Sequence, residues 1–361
     1  MLNKTSTMPS IETKKRIIWL DYAKFFCIMF VIISHLEANT DIFFAFYQPF
    51  FLFGFFFVSG YVYNKSTSFK NLIVKKAKTL LLPWLLFSLF NIILSQILSF
   101  NEHKSFVEEL AWNFAQIRGL GDHIWFLPAL FVAFIPFFLI IKFYNSNKLT
   151  SKKRILIITL TTFLLSTASI LYTNLANPNW YPWKSTALPW HIEYIFQAVF
   201  FMWLGLLFKD IFEKHFDKIK KIFFIPVIAI IYISLVSFNF FANPFGTNVI
   251  YTAVYHYLSS LCGVTLLVSV CKALNFNNKY MTYIGKNTLI CFALHGKIYS
   301  LIQTLLNKII PQLYKSILNN TPASIAFSII FAILISLILI IPIYIINRWF
   351  PFVLGQKRKK S

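Results

Sequence analysis

The sequence predicts an all-α, polytopic integral membrane protein of about ten transmembrane helices, and three observations support this fold class. The 361 residues are 58% hydrophobic and 19% aromatic, but only 13% are charged. Apolar runs of about twenty residues recur along the chain, as transmembrane helices require. The net charge of +22 is concentrated in short segments between these runs, and such charges orient membrane helices. A soluble domain, in which about 25% of residues are charged, is excluded.

Five apolar runs in the first half of the chain each predict a helix. The first, at 17–36, can span a membrane although three polar residues interrupt it. The second, at 42–63, is rich in phenylalanine and ends in FFFVSGYVY. The third, at 79–99, follows a lysine-rich segment and begins near LLLPW. The fourth, at 123–143, opens with HIWFLPALF, and the fifth, at 155–173, follows a basic cluster.

Five further runs complete the predicted bundle. The sixth, at 190–208, comes after the aromatic loop NPNWYPWKSTALPW and is followed by five lysines. The seventh, at 222–242, is separated from the eighth, at 250–272, by the turn NPFGTN. The ninth, at 283–302, contains a histidine, and the tenth, at 322–346, leads to the basic tail QKRKK.

The distribution of lysine and arginine predicts the orientation. Ten helices place both termini on one side, and assigning that side to the cytoplasm puts 28 of the 34 basic residues there. Positive residues are enriched in cytoplasmic loops, so this orientation is favoured. We therefore divide the chain into a basic cytoplasmic arm (1–16), a single ten-helix domain (17–348) and a basic cytoplasmic tail (349–361).

The first helix carries Asp21, Lys24 and His35 on one stripe. At about 100° per residue, the eleven residues from Lys24 to His35 make almost a whole number of turns and separate them by roughly 16 Å. A charge in a membrane costs about 2.5–3.5 kcal/mol on lenient scales, so an aligned set indicates a polar path. Structural interpretations stay open: Lys24 as a snorkelling anchor, Asp21 as its i, i+3 partner, and His35 as a helix-packing histidine.

Other polar side chains fall toward the outer side of the membrane in this topology. Ionisable residues within membranes usually face a bundle interior and mark a site or pathway, so we expect a polar cavity that opens outward. Interfacial positions would explain the aromatic and imidazole groups equally well, and Ser59, beside Gly60, suits a close helix contact. The candidates are His123, Trp125, His191, Glu193 and His256, with His295 nearer mid-membrane.

Five motifs in order resemble the membrane acyltransferase 3 family, including its fucose 4-O-acetylase-like branch. They are LDYAKFFCIMFVIISHL, FFFVSGY, KKAKTLLLPW, HIWFLPALF and YIGKNTLICFALHG. The family opens with an aspartate, a basic residue, ten further residues and a histidine, and Asp21, Lys24 and His35 match this spacing. Lys24 stands where many members have arginine. Thr79 departs from the basic residue that relatives commonly place before Pro83.

The resemblance implies an O-acyltransferase, by default an O-acetyltransferase, that uses cytoplasmic acyl-CoA to modify a sugar hydroxyl of a cell-surface polysaccharide or its lipid-linked precursor. In this family the histidine of the first helix is regarded as catalytic, and the basic residue before it as essential. We therefore expect His35 to deprotonate the hydroxyl for direct attack, with Glu193 or another outer carboxylate holding the imidazole. An acyl-enzyme at Ser34 or Ser59 would need an activating base that the sequence does not show.

These expectations assign roles to individual residues. The basic residues suit the CoA phosphates, and the four cysteines form no Cys/His cluster, so no metal is expected. The expected catalytic residues are His35, Lys24, Asp21 and Glu193, with Asp21 open between ion-pair partner and functional group. The expected donor-binding residues are Lys24, Lys75, Lys76 and Lys78. The expected acceptor-binding residues are Ser59, His123, Trp125, His191, His256 and His295.

The expected partners are membrane lipid, acetyl-CoA as co-substrate, a carbohydrate acceptor and polysaccharide-synthesis machinery, with no nucleic acid, at the plasma membrane. Two other classes stay open. A transporter of a glycan or lipid-linked sugar would also use the polar stripe, although no inverted pair of Gly/Pro-broken helices is visible. A signalling or scaffold protein has no soluble partner domain to support it.

Overall fold

The computed structural model describes residues 16–98, 105–120, 124–146, 149–243, 248–274 and 276–356. Within these ranges the chain forms helices and contains no β-strand. The predicted all-α class is therefore confirmed.

Ten long helices form the bundle in the described part of the chain. Nine of them are long and apolar enough to cross a membrane. The remaining one, α1, has 17 residues, about 26 Å, at the lower end of the spanning range. The polytopic architecture is thus confirmed, whereas the count of ten and the cytoplasmic termini stay predictions. In chain order, the long helices are α1 Ile18–Ser34, α2 Asp41–Tyr61, α3 Phe69–Ile97, α4 Phe126–Tyr144, α5 Ser151–Leu175, α6 Pro189–Lys218, α7 Lys221–Ala242, α8 Val249–Ala273, α9 Thr288–Ile309 and α10 Thr321–Trp349.

Helix α3 begins ten residues before the predicted start, so the lysine run is helical. Lysine is a good helix former, and the Ser68 side chain accepts a hydrogen bond from the Asn71 N–H at the N-terminus. A π-helical turn, Ala77–Leu81, interrupts α3 just before Pro83. Proline lacks an N–H and clashes with the carbonyl four residues earlier, and an extra residue in the preceding turn relieves that clash.

Other long helices are also interrupted, and short helices cover the connections. Helix α2 divides into Asp41–Tyr47 and Phe51–Tyr61, and α10 into Thr321–Ile338 and Ile340–Trp349. Helix α6 opens with a 3₁₀ turn and contains a π-turn at Phe208–Phe212. The short helices are Phe106–Ala115, Lys279–Lys286 and Pro311–Leu318, and the 3₁₀ turns outside the long helices are Pro178–Trp180 and Pro351–Leu354.

Helix α1 lies at the centre of the bundle and packs on α2, α8, α9, α10 and the short helix Lys279–Lys286. Tyr22, Cys27 and Ile32 of α1 are fully buried. A Cβ atom built on Gly285 would lie 2.0 Å from the Asp21 carbonyl oxygen. Only glycine therefore allows the short helix to approach α1 this closely.

Helices α2 and α6 cross through a reciprocal pair of glycines. A Cβ atom on Gly60 would lie 1.8 Å from the Met202 carbonyl oxygen, and one on Gly205 would lie 2.0 Å from the Phe57 carbonyl oxygen. Small residues allow helix backbones to meet in membranes. The structural interpretation of the Ser59-Gly60 pair, a close helix contact, is confirmed for Gly60.

Helix α7 lies at the periphery, with only 11% of its most apolar window buried. Ile222 and Phe223, near its start, are 77% and 69% exposed. Continuous apolar exposure on this scale is a liability in water but suits a surface that faces lipid tails.

Candidate functional site

The inner end of α1 holds an ion cluster around Asp21. The carboxylate accepts hydrogen bonds from both the Nε and the Nη2 of Arg16, the latter at 2.8 Å. Lys24 Nζ lies 3.0 Å from Asp21 Oδ1, and the Asp21 side chain is 4% exposed. The i, i+3 pairing of Asp21 with Lys24 is therefore confirmed. One carboxylate between two cations leaves a net charge of +1 at this end of α1.

A cavity of about 210 Å³ begins at Lys24 and follows α1 toward its outer end. Its wall is mostly apolar, and Lys24, Ser59 and Thr288 supply its polar side chains. Val31, its last residue on α1, lies about one turn before His35. The remaining lining residues are Ile28, Leu52, Phe55, Leu80, Phe126, Leu127, Leu130, Leu289 and Phe292.

At the outer end of α1, His35 meets His295 of α9. The ring centroids are 5.0 Å apart with a 50° tilt. His35 is the exposed C-terminal cap of α1, whereas His295 is 6% exposed. The sequence gave no reason to pair these two histidines, which are 260 residues apart.

The hydrogen bonds of His295 determine which ring nitrogen carries its proton. Nδ1 lies 3.1 Å from the Cys291 carbonyl oxygen and 2.9 Å from that of Phe292. Carbonyl oxygens only accept, so Nδ1 is the donor in the neutral ring. The lone pair is therefore on Nε2, which can accept a proton or a hydrogen bond.

A row of aromatic rings connects the histidine pair to the start of α6. Phe292 lies 6.2 Å from His295, and Phe126 lies 6.0 Å from Phe292. Trp125 lies 6.1 Å from Phe126 and 4.6 Å from His191. Trp125, His191 and His295 therefore lie along one continuous row, as an outer site would require. The sequence did not single out Phe126 and Phe292, since phenylalanine is abundant throughout the chain.

Glu193 pairs with His191, contrary to the expectation that it holds His35. Its Oε1 lies 3.6 Å from His191 Nδ1, and its Oε2 accepts the Leu188 N–H at 2.9 Å. Both side chains are almost fully buried. The physical reason is local: the chain reverses at Trp190 and His191, which turns the histidine back over the first turn of α6.

Three residues beside the Trp125–His191 contact adopt left-handed backbone conformations. Their φ angles are 60° at Ile124, 58° at Trp190 and 54° at His191. Such angles are unusual for residues other than glycine, and for a β-branched isoleucine they are true outliers. Strain of this kind concentrates at functional sites.

The lysine run of α3 only partly faces the cavity. Lys75 and Lys78 are exposed. Lys76 turns inward, with its Nζ 3.6 Å from the centre of the Phe134 ring. Leu80, on the π-turn that follows, lines the cavity itself.

Two candidate histidines contribute nothing to this arrangement. His256 packs edge-on against Phe53 with centroids 5.1 Å apart, and its buried Nε2 has no hydrogen-bond partner among the described residues. His123 lies outside the described residues. Across the described ranges, no group of three or more His, Cys, Asp or Glu residues could hold a metal ion.

Glu37, two residues after His35, anchors the turn that carries the histidine. Gln303 Nε2 and the Tyr314 hydroxyl donate to Glu37 Oε2 at 2.6 Å and 3.1 Å. The Glu37 N–H donates to the Tyr299 hydroxyl at 2.7 Å. Burial raises the pKa of Tyr314, so its hydroxyl stays a donor at neutral pH. These residues were absent from the predicted site, although an ionisable residue so close to His35 was a usable signal.

These features define a class of protein: a polytopic helical membrane protein with a lysine-bearing cavity that leads to a histidine pair. The acyltransferase 3 family profile, described as "Acyltransferase domain", matches residues 17–341. The chain belongs to this family and is a membrane acyltransferase, so the transporter and scaffold alternatives are set aside. Comparison with curated proteins gives no significant match, and neither does comparison with solved structures. The fucose 4-O-acetylase-like branch stays a prediction.

Proposed function

We propose that this acyltransferase moves an acyl group, acetyl by default, from cytoplasmic acyl-CoA to a sugar hydroxyl of a cell-surface polysaccharide or its lipid-linked precursor. The observation that supports this best is the cavity, because it extends from Lys24 toward the His35–His295 pair. It gives a donor and an acceptor separate approaches to one reacting centre.

The inner end of the cavity suits the donor. CoA is anionic through its phosphates, and charge-assisted contacts with Lys24 and Lys76 would hold it, with the exposed Lys75 and Lys78 nearby. The apolar wall then suits the long pantetheine arm. The net charge of +1 around Asp21 adds to this attraction.

The outer end suits proton transfer from the acceptor hydroxyl. In the proposed step, His35 takes the hydroxyl proton, the oxygen attacks the thioester carbonyl, and the C–S bond breaks. The imidazolium of His35 then returns the proton to the departing CoA thiolate. The C-terminal carbonyls of α1 favour a protonated imidazole at this position.

His295 takes the role that the sequence gave to a carboxylate. Its Nε2 lone pair can accept a hydrogen bond from the His35 ring and thereby fix the tautomer of His35. Direct transfer is favoured over an acyl-enzyme because the Ser34 hydroxyl donates to the Val31 carbonyl oxygen at 2.8 Å. Ser59 lies in the cavity wall beside the donor path.

The acceptor would approach along the row of Trp125 and His191. An acceptor of this kind implies that the enzyme acts at the plasma membrane, in contact with membrane lipid and beside the polysaccharide-synthesis machinery. The proposal requires no nucleic acid and no metal.

The experiment compares the acetate content of the surface glycan, by NMR, in cells that produce wild-type protein or His35→Ala. We expect the variant to insert normally and to lose O-acetylation. His256→Ala is the matched control, since that histidine packs on Phe53 away from the pair, and should keep wild-type acetate. Wild-type acetate with His35→Ala would refute the proposed role of His35.

A further inference from the structure

The chain ends in a folded turn that packs back on the bundle. After α10, residues Pro351–Leu354 form a 3₁₀ turn in which Pro351 and Leu354 are buried. Gly355 follows with φ +67°. This segment begins ten residues after the family match ends at 341, so it is a feature of this chain rather than of the matched domain.

Gly355 touches the backbone of α3. A Cβ atom built on it would lie 2.0 Å from the Lys78 carbonyl oxygen and 2.7 Å from the carbonyl carbon. The left-handed φ angle disfavours any other residue independently of that contact. Two separate constraints thus require glycine at this position.

The contact falls on the π-turn Ala77–Leu81, which is part of the wall of the cavity. Leu80 of this turn lines the cavity, and Lys76, one residue before it, turns inward onto Phe134. A π-turn is rare and local in helices, so surrounding packing must maintain it. The C-terminal turn supplies such packing from the outer side of the wall.

We propose that the C-terminal turn 351–355 is a positioning element for the acyl-CoA site: by holding the π-turn, it sets the places of Lys76 and Leu80. This inference rests on the proposed donor. It predicts that disturbing Gly355 weakens donor binding and leaves the histidine pair intact. Gly355 is a positioning residue, since it acts through α3 and touches no substrate.

The main test is Gly355→Ala in the full-length, detergent-purified protein. We expect KM for acetyl-CoA and Kd for CoA, measured by calorimetry, to rise about tenfold, the factor that corresponds to left-handed strain at one residue. The value of kcat should stay near wild type, because the interaction lost affects ground and transition states alike. Gly119→Ala is the matched control: Gly119 has φ +85°, and a Cβ there meets no described atom within 4 Å.

Two truncations separate the turn from the basic residues after it. A chain that ends at Gln356 should keep wild-type KM and Kd, whereas one that ends at Phe350 should behave like Gly355→Ala. Wild-type affinity in both Gly355→Ala and the Phe350 truncation would overturn the proposal. A wild-type protein that neither binds CoA nor transfers acetate would instead refute the proposed function.

Hydrogen exchange on the wild type gives a result that requires no variant to fold. Addition of CoA should slow amide exchange both in 75–82 and in 351–356, because the two segments move as one unit. Protection of 75–82 with unchanged exchange in 351–356 would contradict the coupling between them.

Discussion

Replacing Lys24 by glutamine should weaken donor binding without unfolding the protein. In this variant the Asp21 carboxylate keeps Arg16, whose Nη2 is 2.8 Å from Oδ1, so the buried charge stays paired. The loss of stability should then be about 1 kcal/mol or less, as for a partly exposed ion pair. Loss of a charge-assisted contact with a CoA phosphate is about 1.5–3 kcal/mol. KM for acetyl-CoA should therefore rise roughly 10- to 150-fold.

The matched variant, Asp21→Asn, should do the opposite. It leaves Arg16 and Lys24 facing each other without the carboxylate that lies 3.0 Å from Lys24 Nζ. Removal of one partner from a buried ion cluster costs about 3–5 kcal/mol. We expect a large drop in the unfolding midpoint, which Lys24→Gln should not show.

The assay combines thermal unfolding of the purified protein with initial rates over a range of acetyl-CoA concentrations. A wild-type KM in Lys24→Gln would show that Lys24 does not contact the donor. Lys24→Gln as unstable as Asp21→Asn would show that Arg16 does not compensate for the missing lysine. Either result would refute the reasoning about this cluster.

Two other predictions concern the histidine pair and the helix crossing. His295→Phe should lower kcat about 10²- to 10⁴-fold with little change in KM for acetyl-CoA, because it removes the partner of a general base; unchanged steady-state rates would rule out that role. Gly60→Ala should destabilise the fold by about 1–3 kcal/mol or more, since its Cβ would lie 1.8 Å from the Met202 carbonyl oxygen. Gly296→Ala, whose Cβ meets nothing within 4 Å, should unfold at the wild-type temperature.

Features that depend on local spacing were predictable from the sequence. The apolar runs predicted the helices, because a membrane helix must be apolar over its whole length. The spacing of Asp21 and Lys24 predicted their contact, because residues three apart are neighbours on a helix. The start of α3 was wrong because apolarity, rather than helix propensity, was used to place it, and lysines favour helices at membrane ends.

Features that depend on distant segments were not predictable. His35 and His295 meet only through the packing of α1 on α9, which no local pattern encodes. Glu193 turned to His191 because the backbone reverses at two non-glycine residues, where the sequence offers no glycine as a signal. The folded C-terminal turn was assigned to a basic tail, because its buried contacts depend on the position of α3.

The central claim is tested most directly with purified protein, acetyl-CoA labelled in the acetyl group, and the host glycan as acceptor. The account predicts that wild-type protein transfers the label to the glycan and releases CoA, whereas His35→Ala binds CoA with wild-type affinity and transfers none. Transfer by His35→Ala at the wild-type rate, or label that stays on CoA in the presence of wild-type protein, would contradict it.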